Sequence, residues 1–210
     1  PEELIRANRD TQEIEADTHP EPVDEITPDM ALMQGLHHIS AVGGDIIRTH
    51  DFYGGVLGLH LLKRTSNFDD PNSPHWYWGA DRQGLGALTY FELDPQRMQP
   101  ARMGAGQTHH FAFSVPDEER LTEMGERLRN AGYRVSPVMD RTYFRSIYSN
   151  DPDGHIIELA TSGPGFAVDE PVEELGQNLK LPPQLEAHRT EIELALPQFT
   201  PPAWRGPGGQ

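Results

Sequence analysis

Cysteine is absent, which removes disulfides, thiolate metal sites and a cysteine nucleophile together. Positive charge is scarce as well: 17 Lys and Arg stand against 33 Asp and Glu, for a formal net charge of −16. A phosphate-binding surface needs a basic stripe, and the basic residues here are scattered, so no nucleic-acid partner is expected. A small neutral substrate suits this field better than a polyanion does. No apolar run approaches the roughly 20 residues of a membrane helix, so no membrane partner is expected either. The first residues, "PEELIRANRDTQEIEADTHPEPVDE", are acidic rather than basic-then-apolar, which with the missing cysteine favours the cytoplasm. No G-x-S-x-G nucleophile motif occurs, and "AVGGD" lacks the spacing of a nucleotide loop.

What is present is a repeat, in a chain of 210 residues. Residues 1–32 read as an acidic extended or disordered arm, and 200–210 as a Pro/Gly tail. Between them, residues 33–100 begin with a strand at 36–42. A helix follows, with Asp45 at its N-cap and apolar residues at 52, 53, 56 and 57 on one face, closed by Gly58. Three strand-like segments come next, "LHLLKRTSNF", "HWYWGA" and "GALTYFEL". Residues 101–163 repeat that order: strand 108–115, a helix carrying Leu121, Met124, Leu128 and Ala131, then strands near 133–138, 143–149 and 155–161. Each unit is βαβββ and leaves one sheet face uncovered, so the pair should close on each other. The expected class is α+β, with paired βαβββ modules forming a cupped mixed-sheet barrel. Residues 164–199 are expected to wrap the outside and to contain a helix with Leu185, Ile192 and Leu196.

Each module begins with a histidine doublet, "LHHIS" and "THHFAF". Side chains alternate faces along a strand, so the bulky residues Phe111, Phe113 and Val115 define the core side. The second histidine of each doublet, His38 and His110, therefore projects from the small-residue face, and if that face lines the cup the two converge. In "YSNDPDGHIIELAT" the "NDPDG" turn makes a hairpin and places Glu158 between Ile157 and Leu159. A carboxylate among aliphatics is costly unless paired or bound to a cation. Two imidazoles and a carboxylate form a facial triad that suits non-haem Fe(II) and leaves positions open. Aligning "GALTYFEL" with "GHIIELAT" on glycine places Tyr90 opposite Glu158. Glu92 is a rival fourth ligand if that register slips.

These residues resemble the vicinal oxygen chelate superfamily, which includes glyoxalases and extradiol dioxygenases. More narrowly, "GLHHIS", "VLGLHLLKRTSNFDDP", "DRTYFRSIYSNDPDGHIIELATSGPGF" and "LGQNLKLPPQLEAHRTEIELALP" resemble hydroquinone ring-cleaving dioxygenases. That family usually carries four such modules, where this chain has two. The resemblance implies His38, His110 and Glu158 as Fe(II) ligands, with Mn(II) as the other candidate ion. It implies supporting roles for His37, His109, Arg141 and Tyr148, and it sets Ser40 where the family has threonine. By strict alternation His37 and His109 face the wrong way, and could act only if the strands bulge, coil at their starts or work through their neighbours.

The implied reaction is ring cleavage of a hydroquinone or catechol-like aromatic diol by O2. Arg141 or a histidine would stabilise developing negative charge, and Tyr148 would orient substrate or carry a proton. A salt bridge of Arg141 with Asp140 or Asp117 is the competing assignment. Two alternatives use the same fold: a glyoxalase-type lyase or isomerase with Ni, Zn or Mn and a fourth protein ligand, and a metal-free small-molecule-binding protein. Free sheet edges imply a homodimer, with modules paired within a chain or swapped between chains.

Overall fold

The computed structural model describes residues 25–27, 33, 35–82, 84, 86–94, 96, 104, 107–197, 199–201, 203 and 204. The chain divides into two units, Gln34–Leu175 and a terminal unit of Pro1–Met33 with Gly176–Gln210. Its strands are β1 (Glu25–Ile26), β2 (His38–Gly43), β3 (His60–Ser66), β4 (Pro74–Gly79), β5 (Ala87–Glu92), β6 (Phe111–Val115), β7 (Met139–Asp140), β8 (Phe144–Asn150), β9 (Ile156–Pro164) and β10 (Ala203–Trp204). Its α-helices are α1 (Ile46–His50), α2 (Glu118–Asn130) and α3 (Arg189–Ala195).

The first module is β2, α1, then β3 to β5, in sheet order β2-β5-β4-β3. The second is β6, α2, then β7 to β9, in order β6-β9-β8-β7. In each, the outer pair runs parallel and the others antiparallel, as a βαβββ unit demands. The α+β class and the paired modules are therefore as the sequence indicates. The two mixed sheets close on each other through side-chain packing, and among the described residues they share no strand pairing.

Local chemistry explains the elements. Asp45 caps α1, its Oδ1 accepting from the N–H groups of Ile47 and Arg48 at 3.0 Å. The helix then widens into a π-turn at Asp51–Val56, where the Leu57 N–H donates to the Phe52 carbonyl, and Gly58 (φ +79°) ends it. Asp117 caps α2 in the same manner, accepting from the Arg120 N–H at 2.8 Å. The strand expected at 133–138 does not form, and only Met139–Asp140 is strand. Pro137 has no N–H for a ladder. Ser136 substitutes: its N–H donates to the Tyr148 carbonyl, and its hydroxyl accepts from the Tyr148 N–H, both at 2.9 Å.

One continuous core joins the two modules, built from Phe52, Tyr53, Trp78 and Tyr90 on one side and Phe111, Leu121, Leu128 and Ile157 on the other. Phe52 meets Tyr133, and Tyr53 meets Phe113, across the boundary. Full burial of such side chains contributes on the order of 1.5–3 kcal/mol each. Phe111 and Val115 are buried as strand parity requires.

In the terminal unit β1 pairs in parallel with β10. A 3-10 turn at Pro183–His188 leads into α3, where Arg189 bridges Glu186 (2.7 Å) and Glu193 (3.0 Å). The helix near Leu185 and Ile192 is thus present, while Leu196 lies just past its end. The expected acidic arm and Pro/Gly tail fall mostly outside the described residues.

Candidate metal and substrate site

The second module gathers its chemistry on one face. Tyr148 pairs with Glu158 across β8 and β9, and Ala112 pairs with Glu158 across β6 and β9. Glu158 is 3% exposed, and both its oxygens are engaged. Oε2 lies 2.8 Å from His110 Nε2, and Oε1 accepts from the Tyr148 hydroxyl at 2.6 Å. Burial of a carboxylate at this depth requires such partners.

His109 and His110 precede β6, where the chain is coil, so strict alternation does not bind them. Their Nδ1 atoms lie 2.8 Å apart, one donating to the other. This contact occupies His110 Nδ1 and turns Nε2 toward Glu158, which is how a neighbouring group orients a ligand imidazole. His37 and His38 repeat the contact at the same distance. The first histidine of each doublet is thus hydrogen-bonded to the second.

Arg141 sits on a turn after β7. Thr142 takes φ +70°, and its N–H donates to Asp140 Oδ1 at 2.8 Å. The Arg141 guanidinium lies 5.8 Å from the Tyr148 ring centre and approaches its hydroxyl at 3.4 Å. Asp140 pairs instead with Arg145 (3.5 Å). Arg141, His109, His110 and Tyr148 line one cavity of about 710 Å³.

His38 is elsewhere. With His37 it lines a second cavity of about 690 Å³, together with Leu61, Lys63, Tyr77 and Arg82. Among the described residues no three His, Asp or Glu side chains meet closely enough to hold a metal ion. The structure brings His110, Glu158, Tyr148 and Arg141 together, and does not bring His38 to them.

The pairing registers also revise the expected position of Tyr90. His38 pairs with Ala87 and Ser40 with Thr89, whereas Ala112 pairs with Glu158. Ser40 corresponds to Ala112, so Thr89, not Tyr90, stands where Glu158 does. The glycine alignment slips because β5 starts one residue after Gly86 and β9 two residues after Gly154. Tyr90 points into the core, fully buried. Glu92 accepts from the Ile46 N–H at 2.8 Å and so serves the start of α1.

Two features have no expectation behind them. Trp76 and Trp78 pack toward the core, so parity puts His75 and Tyr77 on the His38 face. His75 stacks on Phe91 at 3.8 Å and lies 3.3 Å from the Tyr77 hydroxyl, while burial and then the nearby His38 push its basicity down. Alternation along "HWYWG" is the signal that could have found both. The second feature is buried Asp151, which accepts from Tyr53 at 2.9 Å, from Tyr90, and from the His155 N–H at 2.8 Å. Its neighbour Asp153 pairs with Arg48 (2.8 Å) and accepts from the Gly44 N–H (3.1 Å). Both carboxylates come from the "NDPDG" turn, which in sequence signals only a hairpin.

The chain belongs to the Glyoxalase/Bleomycin resistance protein/Dioxygenase superfamily, whose family model matches residues 35–159. It is 44% identical over 112 residues to a Bacillus subtilis protein named "Putative ring-cleaving dioxygenase MhqA", covering 53% of this chain and 35% of that one. It is 34% identical over 175 residues to "Putative ring-cleaving dioxygenase MhqO" of the same organism, covering 83% and 53%. A "Chlorohydroquinone/hydroquinone 1,2-dioxygenase" of Sphingobium indicum is 37% identical over 91 residues, covering 43% and 28%. The chain thus spans about half or less of the length of these relatives.

Proposed function

We propose that the chain is a ring-cleaving dioxygenase of extradiol type, holding Fe(II), or alternatively Mn(II), through His38, His110 and Glu158. Its substrate is a hydroquinone or catechol-like diol, with O2 as the co-substrate. The observation that carries this is the convergence of His110 Nε2 and a buried Glu158 oxygen at 2.8 Å, each oriented by a second group, Nδ1 of His109 and the Tyr148 hydroxyl. The names of the similar proteins agree in reaction class, and that of the Sphingobium indicum relative also in substrate class.

The donor set fits in type: two imidazoles and a carboxylate would hold a ferrous or manganous ion and leave it positions open for other ligands. The ion would supply a place where diol and O2 meet. The chain's own groups do the remainder. Glu158 and the two imidazoles hold charge and geometry. Tyr148, already donating to Glu158, is placed to carry a proton to or from a substrate hydroxyl. Arg141, with its guanidinium at the Tyr148 hydroxyl, offers positive charge to a substrate oxygen in the same cavity.

A lyase or isomerase reading needs a fourth protein ligand. Thr89 at the position matching Glu158 speaks against it, because a neutral hydroxyl is a weak donor to a divalent ion. Metal analysis after anaerobic Fe(II) loading, followed by oxygen uptake with substituted hydroquinones and catechols, tests the proposal. Wild type should bind iron and consume oxygen, and His110→Ala should lower both more than about 100-fold. Full oxygen uptake by His110→Ala would end the assignment.

A further inference from the structure

Strand β3 breaks the alternation that governs its neighbours. Its pairing with β4 slips between Leu61 and Lys63, which leaves Leu62 as an extra residue in the strand. A bulge of this kind re-aims side chains. Leu61, Leu62 and Lys63 consequently all line the cavity that holds His37 and His38. Regular alternation resumes beyond it. Lys63 stands opposite Tyr77 on the His38 face, and Arg64 opposite Trp76 on the other, 4.8 Å from the Trp76 ring centre.

The charge in this cavity runs against that of the chain. Acids outnumber bases 33 to 17 overall. Basic side chains elsewhere are taken up by them: Arg48, Arg145 and Arg189 each hold a carboxylate, at 2.8, 3.0 and 2.7 Å. Lys63 and Arg82 hold none among the described residues, and no Asp or Glu lines the cavity beside them. Asp69, Asp70 and Asp81, the acids nearest in sequence, lie outside the lining. One unpaired cation on a surface is ordinary. Two in one concavity, without a counter-charge, focus a positive field there.

Much of the remaining lining is apolar, and part of it is fixed. The Tyr77 ring centre lies 6.4 Å from that of His38. The Tyr77 hydroxyl shares a hydrogen bond with Nδ1 of His75 at 3.3 Å, and His75 is buried and stacked on Phe91. A flat apolar body, a hydroxyl and one negative charge are what these groups can receive together.

We propose that this cavity binds an aromatic carboxylate, and that the diol cleaved by the chain carries an ionised carboxyl group on its ring. The ring lies against Tyr77 and the two leucines, and a ring hydroxyl meets the histidines. Lys63 and Arg82 receive the carboxylate, Lys63 as a point charge and Arg82 through its forked donors. That the ligand is a substrate rests on the ring-cleaving reading; the carboxylate site itself does not.

Calorimetric titration of the metal-free chain tests the site without turnover. The probes are carboxyhydroquinone and its neutral carboxamide, which has the same shape. Wild type should bind the acid about 10- to 100-fold more tightly than the amide, as charge-assisted hydrogen bonds allow. Lys63→Met combined with Arg82→Met should shrink that ratio to about threefold or less. Lys63→Arg with Arg82→Lys keeps both charges and should retain most of it, which guards against misfolding. Arg64→Met removes a charge from the same strand on the other face and should leave the ratio in place. Equal affinity for acid and amide, no binding of the acid at millimolar concentration, or a ratio unmoved by the double substitution would overturn the site. A loss in Arg64→Met as large as in the double variant would overturn it too, by assigning the preference to the general field. Oxygen uptake by the Fe(II)-loaded chain separates the two readings. Faster uptake with the acid than with the amide, at limiting concentration, supports both. Uptake with the amide as fast or faster would overturn the carboxylated substrate and leave the dioxygenase standing. No uptake with any diol, beside an intact preference in the calorimeter, would overturn the ring-cleaving reading and leave the carboxylate site.

Discussion

The two modules share one plan and diverge in what they do with it. At matching positions the second has Glu158 bonded to Tyr148, where the first has Thr89 paired with Tyr77. Tyr77 turns instead toward His75. The second module also reaches into the first through its 151–155 turn, and carries both carboxylates of that contact. One copy of the repeat thus carries the hydrogen-bonded carboxylate and the interlocking turn, and the other a neutral hydroxyl at the matching register position.

The largest expected effect comes from cutting the interlock. Asp151→Ala removes the acceptor for Tyr53, Tyr90 and His155 at a buried boundary, and should lower unfolding free energy by about 3–5 kcal/mol in urea denaturation. A loss under about 1 kcal/mol would mean that apolar contacts alone hold the modules.

Next comes the tyrosine pair. Tyr148→Phe should reduce kcat by about 10- to 100-fold with iron content retained, because it leaves Glu158 in place but removes its donor and the hydroxyl proposed to carry a proton. Tyr77→Phe, whose hydroxyl touches no ligand carboxylate, should cost less than about 10-fold. Equal losses would erase the asymmetry between the modules.

The smallest effect is a pH dependence of stability from the Asp151–His155 pair. Burial pushes the Asp151 carboxyl up, but hydrogen bonds from His155 and Tyr90, with the His155 charge, bring it below its ordinary value. The hydrogen bond to Asp151 raises His155, against burial. The Asp151 contribution is present above the ordinary carboxylate range and is lost as pH falls through its depressed value. The His155 contribution is full below the ordinary histidine value and is lost as pH rises through its elevated one. Stability should therefore plateau between about pH 4 and 6.5 and decline on either side. Asp151→Asn should flatten the profile, as followed by thermal unfolding at a series of pH values.

Much of this architecture is legible in the amino-acid sequence. The repeat, the cap at Asp45, and the side on which His110, Tyr148 and Glu158 lie follow from periodicity, capping preference and alternation, which are local rules. Two things are not. Glycine anchors misalign β5 with β9 by one residue, because turn length is set by hydrogen bonds such as His155 N–H to Asp151 rather than by the glycine itself. The separation of His38 from His110 depends on which faces share a core, and alternation names a face without saying what it meets.

The 151–155 turn looks, by composition, like the part of the second module most tolerant of change. Its tip is polar, it joins two neighbouring strands, and it carries proline and glycine. A designer seeking a place for a tag, a fluorophore or a circular break would choose it first. That choice would fail, because the loop serves as a keystone: its acidic residues are wedged between two aromatic rings and an arginine of the other half.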